Sequence, residues 1–388
     1  MSDTSWLKDA IIYQILIDRF AGFKSNESDK PIFIGGNING IINKLSYIKD
    51  LGINTIWLSP FYKTTEYHGY HITDFMQVEP RFGTLDDLKR LITMCHQMDL
   101  RIISDFIPNH CSNKHPFFQE AIKSRDSRYH NWFYFNKWPD NYHCFLKNKD
   151  LPKLNLQNIK TRDYICNTAN YWLSQGIDGF RLDHVIGLKH SFLKHLKKIT
   201  KNKYTDSVLI GEAWLGGINL EIIKTINIKH KIIRWLFGTS QDNIQKDYYN
   251  VLDGILDFKF QQIMKEYIAH SDIFNNSLQE ELNTHFSKYP DDYYVVTFLD
   301  NHDMNRFLFD CNNNIEKLKI AAKIQFKLCH PLIIYYGTEV GMTQNKSVWE
   351  RRPHADIEVR QPMNWDNQDK ELLVFYKNLI KGHSQCLL

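Results

Sequence analysis

The sequence lacks long apolar runs, a strong charge bias and paired cysteine motifs. No stretch of 18 apolar residues occurs, which argues against a membrane-spanning helix. Lys and Arg number 48 against 44 Asp and Glu, and the resulting net charge of +4 is too small to indicate a nucleic-acid-binding protein. The seven cysteines form no C-x-x-C pair, so neither a disulfide framework nor a zinc site is expected. We therefore expect no nucleic-acid partner and no membrane association.

The first residues, MSDTSWLKDA, contain no basic segment followed by an apolar one. A cleaved signal peptide is therefore not expected. Unpaired thiols are typical of a reducing compartment. Together these features favour a cytoplasmic protein.

Aromatic and other apolar residues are abundant in this chain of 388 residues, at 14% and 43% respectively. Such a composition supports a large core and excludes a wholly disordered or coiled-coil protein. The length fits one α/β barrel with insertions. Aromatic side chains also suit surfaces that stack against flat ligands, although a large core accounts for them more simply.

Eight short apolar runs alternate with longer amphipathic segments. Each run is too short for a helix, and several lack polar alternation, as is typical of parallel strands buried on both faces. The eight predicted strands are Ala10–Ile17, Thr55–Ser59, Arg101–Ile107, Gly179–Asp183, Ser207–Gly211, Gly254–Phe258, Tyr293–Phe298 and Pro331–Tyr336. Repeated strand–helix units imply right-handed crossovers, and eight of them predict an α/β fold of the (β/α)8 TIM barrel type.

The segments between the predicted strands carry helix signals. Thr84 and Asp87 form a capping box in front of an apolar stripe. Gly176 stands where a glycine commonly ends a helix, after an apolar face on residues 165–173. The basic stretch Lys194–Lys203 has its apolar residues at helical spacing, so we interpret it as a solvated helix face rather than a polyanion site.

One connection is much longer than the others. Residues 111–160 separate the third predicted strand from the next clear helix, far above the usual connection of a few residues. The segment is rich in aromatic and polar residues. We predict that residues 111–160 form a small inserted domain over the barrel mouth, while residues 1–110 and 161–388 form the barrel.

Polar side chains follow five of the predicted strands. They are Tyr70 after the second, Asp105, Asn109 and His110 after the third, Arg181 and Asp183 at the end of the fourth, Glu212 after the fifth, and Asp300, His302 and Asp303 after the seventh. Because the C-terminal ends of barrel strands converge on one mouth, we expect these side chains to share one pocket.

Such a set suits the cleavage of a glycosidic bond. That reaction needs one carboxylic acid to protonate the leaving oxygen and one carboxylate to stabilise or trap an oxocarbenium-like centre. Arg181 and Asp183 are two residues apart on one strand and point to the same face, so the arginine can keep the carboxylate ionised. Glu212 on the neighbouring strand is the candidate acid/base, with a pKa raised by burial and nearby carboxylates. His110 and His302 can hydrogen-bond sugar hydroxyls.

Four motifs, DFIPNH, GFRLD, GEAW and FLDNHD, occur in this order at the predicted strand ends. With the segments IIYQILIDRF and HGYHITDF before them, they resemble the alpha-amylase family of glycoside hydrolases (family 13). The resemblance covers residues 11–381. The segment LPKLN at residues 151–155 is similar to the version in neopullulanases, maltogenic amylases and cyclomaltodextrinases. The resemblance implies a retaining α-glucan hydrolase.

The resemblance also implies individual roles. By motif position, Asp183 is the nucleophile, Glu212 the general acid/base and Asp303 a third catalytic carboxylate that binds sugar hydroxyls. Retention of configuration implies a separation of about 5–5.5 Å between the two reacting carboxyls. The implied substrate-binding residues are Tyr70, His110, Arg181, His302 and Arg306.

Several positions depart from the family pattern. Ile186 and Gly187 stand where many alpha-amylases have a Lys and a His that bind the leaving sugars. Asn109 can ligate calcium, but Lys153 and Asn155 replace the two aspartates of calcium-dependent members, in which hard oxygen ligands hold the ion. We therefore expect no cofactor and no strong calcium site.

The chain ends shortly after Glu371–Lys381, the predicted eighth helix. We therefore expect a C-terminal β-sandwich domain to be absent, and a homo-oligomer is one way to cover the apolar barrel surface that this leaves. The leading function is hydrolysis of α-glucosidic links, α-1,4 in the first place, in malto-oligosaccharide substrates. The alternatives are a transglycosidase or sucrose/trehalose-type enzyme with the same site, and a non-catalytic glycan-binding relative.

Overall fold

A computed structural model describes residues 4–25, 27, 29–215, 240–271 and 276–383. The strands, in chain order, are β1 Ile11–Ile15, β2 Thr55–Leu58, β3 Tyr62–Thr64, β4 Ile72–Val78, β5 Arg101–Phe106, β6 Phe135–Lys137, β7 Asn141–Tyr142, β8 Gly179–Leu182, β9 Val208–Gly211, β10 Gly254–Leu256, β11 Tyr294–Phe298 and β12 Leu332–Tyr335.

Eight of these strands close into a parallel barrel in the order β1, β12, β11, β10, β9, β8, β5, β2. The register places Asp105 of β5 beside Arg181 of β8, and Leu182 beside Gly211 of β9. These are the eight strands that the apolar runs predict, so the (β/α)8 barrel is confirmed. The largest boundary difference is in the first run, where β1 ends at Ile15 and a short helix starts at Ile17.

The α-helices of the described residues lie mainly between the barrel strands. They are α1 Ile17–Phe20, α2 Ile38–Ile42, α3 Leu45–Leu51, α4 Leu85–Gln97, α5 Pro116–Lys123, α6 Ile159–Ser174, α7 His190–Lys203, α8 Gln241–Lys246, α9 Phe258–Met264, α10 Asn276–Phe286, α11 Phe307–Asp310, α12 Ile315–Lys327 and α13 Lys370–His383. None of the helices in these described ranges is long and apolar enough to cross a membrane.

The helix ends follow the local sequence signals. The Thr84 side chain accepts a hydrogen bond from Asp87 N while the Asp87 carboxylate accepts one from Thr84 N, so the capping box opens α4. Gly176 follows the end of α6 with a φ of +104°, in the left-handed region that favours glycine. In the basic stretch on α7, Lys197 and Lys201 both pair with the buried Asp253, so only part of that helix face is solvated.

The apolar core has two parts. The larger one fills the space between the barrel and its helices. The smaller one lies within the barrel and contains, among others, Ile12, Trp57, Ile103, Ile210 and Phe298. Because the barrel interior is packed rather than hollow, polar side chains at the strand ends rest on a rigid floor.

Two hairpins lie outside the barrel. Strands β3 and β4 pair antiparallel after β2 and bring the HGYH turn over the barrel mouth. The connection from β5 to α6 contains α5 and the β6–β7 hairpin. Its apolar side chains join the larger core, and among them Phe117 stacks on Tyr129 at a ring-centroid distance of 4.1 Å. Isolated bridges between His110 and Lys153 and between Phe133 and Leu154 close this long connection on itself.

Candidate active site

The ends of β8 and β9 bring two carboxylates to one guanidinium. Asp183 follows β8 and Glu212 follows β9. Arg181 Nη1 lies 3.1 Å from Asp183 Oδ1, and Arg181 Nη2 lies 2.7 Å from Glu212 Oε1. Arg181 and Asp183 therefore do face the same way, and a single buried cation bridges the two acids that the sequence pairs.

A further carboxylate lies beneath this pair. Asp105 Oδ1 is 2.5 Å from Arg181 Nη1, and its other oxygen accepts hydrogen bonds from Trp57 Nε1 at 3.0 Å and from the Tyr70 hydroxyl at 2.9 Å. Burial raises the pKa of Asp105, and Arg181 opposes that rise. Asp105 therefore interacts with the same guanidinium, that of Arg181, as Asp183 and Glu212 do.

His302 belongs to a buried chain of hydrogen bonds. Its Nδ1 lies 2.6 Å from Gln14 Nε2, and its Nε2 lies 2.6 Å from the Tyr70 hydroxyl and 3.1 Å from Asp303 Oδ2. Burial lowers the pKa of His302 to about 3, so the ring is neutral at ordinary pH. A neutral ring that accepts from Gln14 at Nδ1 carries its proton on Nε2, where it can donate toward Asp303 or Tyr70.

Asp303 is held from both sides. Arg360 Nη2 donates to Asp303 Oδ1 at 2.8 Å, and the Asp303 amide donates to Asn301 Oδ1 at 2.8 Å. Burial alone would raise the pKa of Asp303, but the neighbouring His302 and Arg360 outweigh it and hold that pKa below its usual value. Asp303 therefore stays ionised at neutral pH.

Asp183 and Glu212 face the opposite situation. Burial and the charge of Glu212 raise the pKa of Asp183 well above its usual value, and burial raises the pKa of Glu212 to about 6, against the effect of Arg181. Because the charge of Glu212 acts on Asp183, the two acids titrate as a pair and share a proton. Asp183 Oδ2 is buried and has no hydrogen-bond partner among the described residues.

The residue after Asp183 adopts an unusual backbone conformation. His184 has a φ of +46°, in the left-handed region, and its amide donates to Glu212 Oε2 at 2.9 Å. A non-glycine residue in this region stores strain of order 1 kcal/mol or more, which persists at sites where the surroundings fix the backbone. The strained turn thus positions an N–H on the second acid.

These groups open into one cavity of about 360 Å³. Its lining residues are His68, Tyr70, His71, His110, Phe145, Leu146, Leu151, Asp183, His184, Glu212, Trp214, Asp303, Trp349, Asp356 and Arg360. The cavity therefore brings together Tyr70, His110, Asp183, Glu212 and Asp303. Arg181 and His302 lie directly behind its wall, through their contacts with those carboxylates.

Arg306, which the family resemblance implies as a substrate-binding residue, is not among the residues that line this cavity. It is buried, and its guanidinium donates to the carbonyl oxygens of Tyr336 at 2.6 Å and Val359 at 3.3 Å. Its donors thus hold the loop that follows β12. The arginine that contacts Asp303 is Arg360 from that loop.

Aromatic rings frame the cavity on two sides. Trp214 stacks on Phe258 with ring centroids 5.2 Å apart and an interplanar angle of 10°, and Trp349 lies 5.8 Å from Trp214. Trp349 is 47% exposed, which is unusual for so large an apolar side chain. On the other side Phe145 stacks on His110 at 4.6 Å. Such flat surfaces suit the faces of pyranose rings.

The family model for the alpha-amylase catalytic domain matches residues 14–140 and 133–373. The chain belongs to the alpha-amylase family. It is 35% identical over 385 residues to Alpha-amylase 2 of Dictyoglomus thermophilum, covering 97% of this chain and 63% of that protein. It is 29% identical over 401 residues to Neopullulanase 2 of Thermoactinomyces vulgaris, covering 97% of this chain and 63% of that protein. The chain thus spans less than two thirds of the length of these curated relatives.

Solved structures agree with this membership of the alpha-amylase family. The cyclic alpha-maltosyl-(1→6)-maltose hydrolase of Arthrobacter globiformis superposes with a TM-score of 0.82 at 27% identity, covering 97% of this chain and 83% of that one. The resemblance to neopullulanases and maltogenic amylases that the sequence motifs indicate is therefore confirmed.

The residues around Asn109 do not fit the calcium ion of calcium-dependent members of the alpha-amylase family. Lys153 Nζ donates to the Gly187 carbonyl at 2.7 Å, and a Cβ on Gly187 would lie 2.6 Å from Asn109 Oδ1. The Lys153 side chain therefore already uses the Gly187 carbonyl oxygen, a type of ligand that a hard cation would need. Asn155 donates its amide elsewhere, to Asn131 O at 2.9 Å. Within the described ranges no group of three or more His, Cys, Asp or Glu is placed to hold a metal.

Several cavity residues are not among those that sequence reasoning selected. Asp356 and Arg360 lie in the loop between β12 and α13, far from any strand end, and form an ion pair there. Trp349 comes from the same loop and Phe145 from the long β5–α6 connection. The only signal for these residues in the sequence is that the loops at the barrel mouth are rich in charged and aromatic residues.

Proposed function

We propose that this chain is the catalytic part of a retaining glycoside hydrolase that cleaves α-glucosidic bonds in malto-oligosaccharides or related α-glucans. The observation that carries the proposal is the bridge from Arg181 to both Asp183 and Glu212, at 3.1 and 2.7 Å, in a cavity that Asp303 also lines. Two acids beside one cation, with a third carboxylate opposite, match the needs of acetal cleavage.

In the first step Asp183 acts as the nucleophile. Its Oδ2 has no hydrogen bond to a described residue and is free to bond to the anomeric carbon, while Arg181 stabilises the negative charge through Oδ1. As the bond between the anomeric carbon and the leaving oxygen breaks, Glu212 transfers its proton to that oxygen. A pKa of about 6 suits a general acid near neutral pH.

In the second step Glu212 acts as the base. Its carboxylate takes a proton from water, and the resulting hydroxide oxygen bonds to the anomeric carbon as the bond to Asp183 breaks. Two displacements at one carbon restore the original configuration. Asp303, held ionised by Arg360, accepts hydrogen bonds from sugar hydroxyls and favours the positive charge of the transition state.

The cavity favours a small glucan with α-1,4 links as substrate. Trp214 and Trp349 on one side and Phe145 on the other offer stacking surfaces for sugars next to the bond that is cleaved. The relatives include a protein named cyclomaltodextrinase at 30% identity and one named neopullulanase at 29% identity, and both names refer to α-glucans. Tyr70 and His110, which line the cavity, would contact the sugar at the cleaved bond, and His302 would act on it through Tyr70 and Asp303.

We further propose that the enzyme uses no calcium and no other cofactor. The support is the Lys153 ammonium on the Gly187 carbonyl, which supplies a positive charge where a calcium ion would do so. A cytoplasmic location is proposed as well. It is supported by the six free cysteines of the described residues and by the 30% identity to an intracellular maltogenic amylase of Bacillus subtilis.

Product analysis tests the proposed reaction. The full chain is incubated with maltotriose, and the products are followed by chromatography while the anomeric protons are followed by NMR. Hydrolysis with retention predicts that the newly formed reducing end appears first as the α-anomer and then mutarotates, while the leaving sugar keeps the α/β mixture of the substrate's own reducing end. A new reducing end that appears first as the β-anomer would contradict a retaining enzyme, longer oligomers would indicate transfer to sugar in place of hydrolysis, and an absence of any product would contradict the catalytic proposal.

A further inference from the structure

A second cavity lies at the junction between the long β5–α6 connection and the barrel helices. Its volume is about 580 Å³, and it shares no lining residue with the sugar cavity. One wall is the turn Val185–Gly187 that follows Asp183, and the start of α7 forms another. The roles proposed above for the sugar cavity leave this second space without a function.

The charge of this second cavity is of one sign. Lys153, Arg162 and Lys189 line it together with His143 and His195, and neither Asp nor Glu is among its lining residues. The whole chain carries nearly equal numbers of acidic and basic residues, 44 and 48. Three permanent cations around one space with no lining carboxylate therefore form a local positive field that an anion would neutralise.

The cations keep donors available. Arg162 Nε is buried and has no hydrogen-bond partner among the described residues, and its nearest carboxylate oxygen, on Asp163, is 3.8 Å away. Lys153 places one donor on Gly187 O, and an ammonium has three. Lys189 lines the cavity at the start of α7, where its side chain is exposed. Buried donors without partners cost free energy that a bound acceptor would recover.

We infer that this second cavity binds a phosphate group, free or carried by a sugar. Arginine matches a tetrahedral oxyanion with a fork of donors and lysine adds point charge, so one Arg and two Lys suit a doubly charged anion. A neutral oligosaccharide can accept hydrogen bonds from these groups but does not neutralise their charge. The volume is sufficient for a phosphate with a small sugar attached. A ligand here would join the β5–α6 connection to α6 and α7.

Calorimetry and thermal unfolding of the full chain test this inference without reference to catalysis. Inorganic phosphate, glucose 6-phosphate and glucose are titrated at constant ionic strength set with sodium chloride. We expect saturable binding of phosphate and a rise in Tm that saturates with it, and no such effect of glucose. Tighter binding of glucose 6-phosphate than of phosphate would identify a sugar phosphate as the ligand, and equal binding would identify free phosphate.

Matched variants locate the site. Arg162→Gln and Lys189→Gln should each weaken phosphate binding at least tenfold. Lys160→Gln on α6 and Lys194→Gln on α7 change exposed lysines of the same helices outside the cavity and should leave phosphate binding unchanged. A Tm that follows ionic strength alone, or binding that survives both Arg162→Gln and Lys189→Gln, would overturn the inference.

Discussion

Lys153 Nζ donates a hydrogen bond of 2.7 Å to the carbonyl oxygen of Gly187, four residues after Asp183. The bond joins the β5–α6 connection to the turn beside the reacting carboxylates. Burial lowers the pKa of Lys153, and its Nζ serves as the donor to this part-buried carbonyl. Because Lys153 supplies a positive charge at this turn, no ion from solution is needed to supply one.

This relationship predicts that chelation has no effect. Dialysis against EDTA should leave both kcat and Tm unchanged, and added calcium should not raise either, because Lys153 already uses the Gly187 carbonyl oxygen beside the active site. Activity assays and thermal scans before and after dialysis provide the check. Activity that falls on chelation and returns with calcium would contradict the interpretation of Lys153.

The same relationship predicts the effect of removing the ammonium. Lys153→Met keeps an unbranched side chain but leaves the part-buried Gly187 O without its donor, which should cost about 1 kcal/mol of stability. Lys160→Met, at an exposed position, serves as the control and should leave Tm within experimental error. Equal Tm values for the two variants would show that the bond contributes nothing.

Substitution of the two acids should separate their roles. Asp183→Asn removes the nucleophile and should lower kcat by at least three decades on any substrate, about 4 kcal/mol of transition-state stabilisation. Glu212→Gln should lower kcat/KM by a similar factor on maltotriose but far less on α-maltosyl fluoride, because fluoride leaves without a proton and kcat/KM reports only the first step, before Glu212 acts as the base. The two substrates are compared by initial rates. If Glu212→Gln lost as much with the fluoride as with maltotriose, the acid role would be wrong.

The pH profile should carry the signature of Glu212. Its raised pKa of about 6 means that the acid remains protonated up to that pH and loses its proton above it. Because the reaction needs the protonated form, kcat/KM for maltotriose should fall above roughly pH 6, once the free enzyme gives up the shared proton. With α-maltosyl fluoride, whose leaving group needs no proton, the fall in kcat/KM at alkaline pH should be smaller. A flat profile from pH 5 to 8 on maltotriose would contradict the raised pKa.

Trp349 should affect binding more than chemistry. Its ring is 47% exposed at the cavity mouth, so Trp349→Ala removes a stacking surface without opening the core. We expect KM to rise roughly fivefold, about 1 kcal/mol, on maltopentaose. On maltose, which is too short to reach both the cleaved bond and the mouth, KM should hardly change. A uniform loss of kcat on both substrates would indicate a structural defect instead.

A buried histidine outside the cavity should make stability depend on pH. His285 contacts Asp242 at 2.6 Å and Asp257 at 2.8 Å. Although burial opposes it, the two carboxylates raise the pKa of His285 to about 9. Because the pKa of His285 is higher in the folded chain than its unfolded value of about 6.5, its protonation contributes roughly 3 kcal/mol to the free energy of unfolding. This contribution is fully present below pH 6.5 and is lost as the pH rises through 9.

Thermal scans from pH 6 to 10 check this expectation. The Tm difference between the wild-type chain and His285→Gln should be largest at pH 6 and should shrink toward pH 10. His195→Gln, at a partly exposed position on α7, is the control. A difference that stays constant over this range would mean that His285 acts through packing rather than through its charge.

The barrel could be predicted because its strands appear in the sequence as short apolar runs. Parallel strands buried on both faces need no polar alternation, so runs such as Thr55–Ser59 and Arg101–Ile107 are visible without any tertiary information. The grouping of the carboxylates at the strand ends could be predicted as well, because a closed barrel fixes where those ends meet. The order of the strands alone was enough to predict that Asp183 and Glu212 lie in one pocket.

The rest of the site depends on loops, whose course the sequence does not determine. Arg360 reaches Asp303 from a long segment after β12, and nothing in its sequence neighbourhood distinguishes it from Arg306, which serves the backbone instead. The β3–β4 hairpin that carries Tyr70 is short and register-shifted, which weakens any alternation signal. Loop residues enter a site through tertiary packing, and local patterns do not record it.

The distribution of charge around the catalytic arginine has a further consequence. The carboxylates in and below the cavity outnumber its guanidinium groups, with Asp105, Asp183, Glu212, Asp303 and Asp356 facing Arg181 and Arg360. Even with one shared proton the pocket keeps a surplus of negative charge in a dry environment. Ring-nitrogen sugar mimics that are protonated at neutral pH would therefore be held far more strongly than neutral sugars of the same shape.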